Sequence, residues 1–208
     1  VNRPWRQPHL VTTSRLLLAT LALIVIALLA VRIATSSDLT FNGDQMKTLN
    51  FTADVVINGR WIAPRDPLGN MAAKPPLVNW IGAPLAMMGV WQEWSLKMPS
   101  ILSALAATVV TVWMARRMML RVTVHHDGPA ADANDMTQRR AWAWAVAACA
   151  GAAYVTNAST FKHMYFFRPD MLNAACLAGA WALATCSMAR DQGSRLWLNV
   201  GLWLCVAG

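Results

Sequence analysis

The sequence predicts an all-α protein: a polytopic bundle of transmembrane helices, with amphipathic interfacial helices in a large first extracytoplasmic loop. The first observation is composition, since 56% of the 208 residues are hydrophobic and 13% are charged, against about 25% charged residues in an average soluble domain. The second is that several apolar runs approach the about 20 residues that a helix needs to cross a bilayer. The third is that basic residues cluster at the ends of these runs, which is typical of membrane topology and not of nucleic-acid binding.

The predicted membrane spans are five apolar windows: 16–34, 98–115, 141–158, 171–189 and an incomplete 196–208. The first window is longer than the apolar region of a signal peptide and lacks a clear cleavage site, so we expect a retained signal anchor. Because the last window has no polar flank, we expect residues 1–208 to be the N-terminal part of a longer transmembrane domain.

The short apolar segment 77–90 decides the topology of everything that follows it. If this segment does not span, more of the Lys and Arg residues fall on the side of the N-terminus, as the positive-inside rule requires. We therefore predict a tilted or re-entrant element in the outer interface, with Trp80, Trp91 and Trp94 at headgroup depth.

This topology places two loops on the extracytoplasmic side, the large loop of about 35–97 and the short loop 159–170. The N-terminus and residues 116–140 are then cytoplasmic, in a multi-pass protein of the plasma (inner) membrane. Within the large loop, helical spacing predicts an amphipathic helix along the membrane, from Asp44 to Asn58. Its predicted apolar face carries Met46, Leu49, Ala53 and Val56, and its polar face carries Lys47, Asn50, Asp54 and Asn58.

Two groups of metal-binding residue types are interpreted as structural. His125 and His126 lie in the inner segment 121–138, which reads as a flexible connector and not as a metal site. The cysteines lie inside apolar runs without CxxC spacing, so we expect packing residues, neither disulfides nor zinc ligands: Cys149, Cys176, Cys186 and Cys205.

Three polar clusters share the predicted outer face: residues 42–45, 74–76 and 162–170. Each has a structural alternative. Asp44 can be a helix N-cap, and Asp170 a first-turn carboxylate after Pro169. Lys74 can be an interfacial lysine whose ammonium group reaches the headgroups.

The order of short motifs between residues 41 and 85 is distinctive: Gly43 and Asp44, then Gly59, Trp61 and Pro64, then Lys74, Pro75, Pro76 and Trp80. Further on come Lys97, Met98, Pro99 and Ser100, and then the run FFRPDML at 166–172. Together these motifs resemble the first outer loop and second acidic motif of bacterial polyprenyl-phosphate-sugar-dependent glycosyltransferases with the GT-C fold. Protein O-mannosyltransferases and lipid A aminoarabinose transferases belong to this group.

The resemblance implies a membrane glycosyltransferase that moves a sugar from a polyprenyl-phosphate carrier to a protein, lipid or glycan acceptor on the extracytoplasmic face. It also implies a single displacement with inversion at the anomeric carbon. Two residues depart from the family pattern: Gln45 stands where an acidic residue is usual, and Thr48 where a tyrosine is common. Gln45 weakens any divalent-cation site, so we assign no metal ligand and no certain cofactor, and a weakly bound divalent cation stays open.

The chemistry of this reaction suggests a role for each polar residue. A base must take the acceptor proton, and cations must stabilise the leaving phosphate. We expect Asp44 to be the base and Asp170 to orient a neighbouring group. Lys74, with Arg168 and His163, is expected to bind the phosphate through charge-assisted hydrogen bonds, and Gln45 to contact substrate.

Two other hypotheses remain open at the level of sequence. A non-enzymatic membrane protein, such as a transporter subunit or scaffold, explains the apolar helices equally well. It does not explain why Asp44, Lys74 and Asp170 gather on one predicted face. A catalytically degenerate relative is the third hypothesis, and the replacement of an acidic residue by Gln45 favours it.

Overall fold

The computed structural model describes residues 9–35, 43–72, 77–89, 93–127 and 133–187. Within these ranges the secondary structure consists of helices, without a strand, which confirms the all-α prediction. The helices are α1 (His9–Thr35), α2 (Gly43–Asn58), α3 (Leu77–Met87), α4 (Glu93–Asp127), α5 (Ala133–Thr156), α6 (Ala158–His163) and α7 (Asp170–Ser187).

The chain divides into two compact units. The first combines residues up to Leu28 with Thr108–Asn157, and the second combines Leu29–Ala107 with residues from Ala158 onward. The candidate functional residues belong to the second unit.

Among the described helices, two are long and apolar enough to cross a membrane by length and composition, through Thr12–Ala34 of α1 and Ser95–Arg121 of α4. They contain the predicted spans 16–34 and 98–115. The predicted spans 141–158 and 171–189 fall largely in α5 and α7, which do not meet the same length and hydropathy criterion. The predicted span 196–208 and Cys205 lie outside the described residues.

The predicted connector 121–138 was wrong in its extent. Helix α4 continues to Asp127 and α5 begins at Ala133, so both ends of this segment are helical. Just before this segment, two arginines of α4 lie beside aromatic rings: the guanidinium of Arg116 is 4.5 Å from the centre of the Trp144 ring, and that of Arg117 is 5.1 Å from the centre of the Trp113 ring.

In the second unit, α2 packs against α3. Helix α2 forms as predicted, but its buried residues are mostly polar: Gln45, Thr48, Thr52, Asp54 and Val55. Thr52 is one of them, and the single hydrogen of its hydroxyl is shared between the Asn79 side-chain oxygen on α3 at 3.1 Å and the Thr48 carbonyl at 3.0 Å. The predicted polar position Asp54 is also buried, since its carboxylate accepts the Arg65 N–H at 2.7 Å.

Helix α3 has 11 residues, too few to cross a bilayer, which needs about 20. The indole N–H of Trp80 donates to the Trp61 carbonyl, so this half-exposed tryptophan is tied to the loop that follows α2. Trp91 and the side chain of Trp94 lie outside the described part of the chain.

The predicted short loop 159–170 is partly helical. Helix α6 covers its first half, and the turn 164–169 then leads into α7 at Asp170. A small apolar core joins this turn to the other helices, formed by Val78, Leu96 and Phe167, with Leu49 and Leu172 against it.

In the first unit, Gly151 marks a close contact between three helices. A Cβ atom at this position of α5 would lie 2.6 Å from Val112 Cγ2 on α4 and 2.9 Å from Leu21 Cδ2 on α1. Small residues at helix contacts of this kind are typical of packing in membranes.

We therefore expect Gly151→Val to destabilise the protein by about 1–3 kcal/mol, the usual cost of overpacking a tight contact. Thermal unfolding of the purified protein in detergent measures the effect. Gly43→Ala is the matched control, because a Cβ atom at Gly43 meets no atom within 4 Å. Equal midpoints for the two variants would contradict the close contact at Gly151.

Candidate functional site

The candidate site is built on the turn 164–169, between α6 and α7. Four successive side chains of this turn are buried, with exposed fractions from 0% to 5%: Met164, Tyr165, Phe166 and Phe167. Within the turn, the Arg168 N–H donates to the Phe166 carbonyl at 2.9 Å. Burying four large side chains in succession leaves Arg168 as the half-buried residue at the end of the turn.

Other helices satisfy the backbone of this turn. The side-chain oxygen of Gln45 on α2 accepts the Phe167 N–H at 3.0 Å. The hydroxyl of Ser100 on α4 donates to the Phe166 carbonyl. Because buried backbone groups are costly when unpaired, these two side chains hold the conformation of the turn.

Two cations pack against the aromatic rings near the turn. Fully buried Lys97 lies with its ammonium nitrogen 4.5 Å from the centre of the Tyr165 ring. The guanidinium of Arg32 lies 5.5 Å from the ring centre of Phe166, and donates to the Lys162 carbonyl at 3.3 Å. Cation–π contacts of this kind gain strength where water is excluded.

Arg168 joins the two predicted catalytic carboxylates. Its Nε lies 2.8 Å from Asp170 Oδ2, and its Nη1 lies 3.3 Å from Asp44 Oδ2. The Arg168 side chain is 20% exposed and that of Asp44 is 57% exposed, so Asp44 is the more exposed partner of this pair. Each carboxylate lies in the first turn of its helix, α2 or α7, where a negative charge is stabilised by the helix dipole.

His163 lies at the end of α6 beside this group. Its Nδ1 is 3.9 Å from Asp170 Oδ2, and its ring meets that of Phe166 edge to face, 5.6 Å between centres. Burial lowers the pKa of His163, the charges of Arg168 and Lys162 lower it further, and Asp170 opposes the shift. The imidazole is therefore mainly neutral at neutral pH.

A cavity of about 560 Å³ opens in front of Arg168. Its charged and amide-bearing lining residues are Asp44, Lys47, Asp66, Asn70, Asn79 and Arg168. Its larger apolar lining residues are Phe51, Leu68, Met71 and Val78. The lining thus combines two cations and two carboxylates with an apolar wall.

The loop after α2 forms part of this wall. The carboxylate of Asp66 accepts the N–H groups of Leu68 and Asn70 at 2.9 and 2.8 Å, which closes a tight turn. Gly69 within it has a φ of 85°, a backbone conformation that favours glycine. Asp54 holds the start of this loop, because its carboxylate accepts the Arg65 N–H.

Burial raises the pKa of Asp54, but the N–H of Arg65, the amide of Asn58 and the charge of Arg60 outweigh that effect, and the net pKa is lowered. Asp54 therefore stays ionised at neutral pH. Its carboxylate serves the loop and not the cavity, since Asp54 is not a lining residue.

The structure brings together most of the site residues that the sequence predicts. Asp44, Arg168, Asp170 and His163 form one group, and Gln45 lies behind it, fully buried and not lining the cavity. Lys74 lies outside the described residues; Ala72 and Val78, on either side of it in the sequence, line the cavity.

Sequence reasoning missed Lys47, which was predicted to be only part of a polar face. The signal was present, because the residues of α2 that line the cavity follow helical spacing: Asp44, Lys47, Thr48 and Phe51. Among the described residues, no three His, Cys, Asp or Glu side chains converge as a metal site would require.

Comparisons of the chain with protein-family models, with curated proteins and with solved structures gave no match.

The lowered pKa of His163 predicts how its protonation responds to acid. Its ring should titrate below the ordinary value of 6.5, which NMR of the histidine ring protons measures, with His163→Gln to assign the signal. Because the folded pKa is lowered, the stability that His163 contributes is complete above 6.5 and is lost as pH falls through the folded pKa. A midpoint at or above 6.5 would contradict the burial of the ring.

Proposed function

We propose that this chain forms the N-terminal, catalytic part of a membrane glycosyltransferase. It takes a sugar from a polyprenyl-phosphate carrier and transfers it to a protein, lipid or glycan acceptor on the extracytoplasmic face. One observation carries the proposal: Arg168 is held by Asp170 at 2.8 Å and reaches Asp44 at 3.3 Å, at the wall of a cavity that also contains Lys47.

The lining of the cavity suits an amphiphilic phosphate donor. A phosphate carries negative charge that Arg168 and Lys47 can bind through charge-assisted hydrogen bonds. The apolar wall of Phe51, Leu68 and Val78 suits the prenyl units next to that phosphate. A purely structural loop has no need for both kinds of surface in one cavity.

Asp44 is the proposed general base. Its carboxylate is the exposed member of the Arg168 pair, so an acceptor hydroxyl or amine can approach it from the cavity. Asp44 takes the acceptor proton as the acceptor atom attacks the anomeric carbon. The bond from that carbon to the phosphate oxygen breaks, and its electron pair leaves with the phosphate. The sugar inverts in this single displacement.

Arg168 is the proposed stabiliser of the leaving phosphate. A guanidinium has five N–H donors; Nε faces Asp170 and Nη1 faces Asp44. Nη2 makes no ion pair within the described part of the chain, so its donors can meet the phosphate. Asp170 is the proposed orienting residue, because its carboxylate lies 2.8 Å from Arg168 Nε.

Lys74 and His163 complete the proposed phosphate site. Lys74 belongs to the short sequence between two cavity-lining residues, Ala72 and Val78. His163, held neutral by its lowered pKa, is not a lining residue of the cavity as it stands, so we propose that it contacts the phosphate as a neutral hydrogen-bond partner only when the donor reaches past Arg168. A prenyl chain must stay in hydrocarbon while its phosphate meets protein cations, so a site beside apolar α3 lies at a suitable depth.

The membrane setting of the proposal follows from the apolar helices. Helices α1 and α4 contain the two candidate spans, and we propose that α5 and α7 also cross the plasma membrane as parts of a multi-pass bundle. The large loop and the turn 164–169 then share the extracytoplasmic face.

The proposed base is tested by Asp44→Asn, which keeps size and hydrogen bonding but removes basicity. In the full-length enzyme we expect kcat to fall by about a hundredfold or more, the usual range for loss of a general base, with little change in donor binding. Sugar transfer from a synthetic polyprenyl-phosphate donor is the measurement, and Asp127→Asn is the control. Full activity of Asp44→Asn would leave this carboxylate as a helix cap only.

The proposed phosphate site is tested by Lys74→Met, with Lys162→Met as a control on an exposed lysine of the same predicted face. Lys74 meets the phosphate in the bound donor and in the transition state, so donor affinity and kcat should both fall. Donor binding by isothermal calorimetry separates the two effects. Normal donor binding with a lower unfolding temperature would instead show that Lys74 is an interfacial lysine.

The proposed topology is tested by single cysteines in a background without the native four. A membrane-impermeant thiol reagent should label Arg60→Cys in intact cells. It should label Thr137→Cys only after the membrane is permeabilised. External labelling at position 137 would overturn the topology and with it the shared extracytoplasmic site.

A further inference from the structure

Two successive residues of α2 meet two successive residues of the turn 164–169. Asp44 pairs with Arg168 at 3.3 Å. The next residue, Gln45, accepts the N–H of the preceding turn residue, Phe167, at 3.0 Å. The two contacts join adjacent residues of α2 to adjacent residues of the turn. A shift of the Phe167 backbone relative to Gln45 therefore also moves Arg168 relative to Asp44.

Gln45 cannot act by touching a ligand in the cavity. It is fully buried and is not a lining residue, whereas Asp44 beside it is half-exposed and lines the cavity. What the side chain of Gln45 does touch is the backbone of the segment that carries Arg168.

The turn needs this contact because the hydrogen bonds that Phe166 and Arg168 make within it leave out the Phe167 N–H. The Phe166 N–H donates to the His163 carbonyl at 3.2 Å, and the Arg168 N–H donates to the Phe166 carbonyl at 2.9 Å. The Phe167 N–H lies between them in a fully buried residue, and its acceptor is Gln45. An unpaired N–H in that place would favour a different turn.

The ring of Phe167 is held from the other side. A Cβ atom at Gly82 on α3 would lie 3.0 Å from Phe167 Cζ, so the ring fits closely against α3. With its ring fixed by α3 and its N–H fixed by α2, Phe167 leaves the following residue, Arg168, little freedom to move relative to Asp44.

We propose that Gln45 is a positioning residue, whose side-chain carbonyl holds the Phe167 N–H and so sets the register at which Arg168 meets Asp44 and the donor phosphate. The role in catalysis rests on the proposed transferase function. The role in holding the turn does not, and it is measured separately.

The experiment compares three variants of the purified full-length protein in lipid nanodiscs. Gln45→Met keeps the size of the side chain and removes the acceptor. Gln45→Glu keeps an acceptor oxygen at the same reach. Thr52→Val is the matched control, because it removes a hydrogen bond from another fully buried residue of α2 that does not line the cavity.

The first measurement is sugar transfer from a polyprenyl-phosphate donor. For Gln45→Met we expect kcat to fall about tenfold or more, since a displacement of about 1 Å in a positioned group can cost about a hundredfold. KM for the donor should change far less, and Gln45→Glu should recover most of the lost kcat. Thr52→Val should stay near the parent protein in kcat.

The second measurement is the NMR titration of His163, which needs no transferase activity. If the turn relaxes in Gln45→Met, the ring gains solvent and its midpoint should rise toward 6.5, while Thr52→Val and Gln45→Glu keep the parent value. If Gln45→Met does not fold, Gln45→Asn replaces it, because the shorter side chain withdraws the amide by one methylene group.

The two measurements test the positioning role of Gln45 and the proposed transferase function separately. If the acceptor-free variant matches Thr52→Val in both kcat and the His163 midpoint, Gln45 does not position the turn and the proposal is overturned. If the midpoint rises but the parent protein transfers no sugar, the positioning of the turn stands and the proposed function fails. Loss of kcat in Gln45→Met that Gln45→Glu does not recover would also overturn the proposal.

Discussion

The turn 164–169 contains a buried backbone N–H group, that of Phe167, whose acceptor is a side chain of another helix. The contacts of the candidate site depend on this hydrogen bond. Burial of the aromatic residues of the turn removes the surrounding water, so the Phe167 N–H requires an acceptor from another helix, and Gln45 on α2 supplies it. The Phe166 carbonyl accepts the Arg168 N–H within the turn and also the hydroxyl of Ser100 on α4. The same contacts bring Asp44, Arg168 and Asp170 together, although they are widely separated along the sequence.

Charge compensation imposes the second constraint. A partly buried guanidinium is costly without anionic partners, and two carboxylates with no cation between them would repel each other. Arg168 between Asp44 and Asp170 meets both conditions. The neighbouring imidazole of His163 remains neutral because it is buried and because Arg168 and Lys162 are close, so Arg168 is the cation that the two carboxylates share. The arrangement leaves Asp44 facing the cavity as the accessible member.

Helix α2 packs against other parts of the same chain through a mostly polar surface. The hydroxyl of Thr52 is satisfied by Asn79 and by the helix backbone, and Gln45 is satisfied in part by Phe167. Both side chains are fully buried in these contacts. Met46, on the predicted apolar face, is 37% exposed. In the proposed membrane setting that exposure suits contact with lipid.

The sequence by itself determined the all-α class, the position of α2, the polar clusters and the identity of Asp44, Arg168 and Asp170 as a group worth testing. Composition and helical spacing are local properties, and they are sufficient for these inferences. The extent of α4 and α5, the buried face of α2, the inclusion of Lys47 in the cavity and the backbone contact of Gln45 were decided only by tertiary structure. The buried face of α2 and the contact of Gln45 depend on which distant atoms satisfy a buried donor or acceptor, and the spacing of residues along one helix carries no information about that.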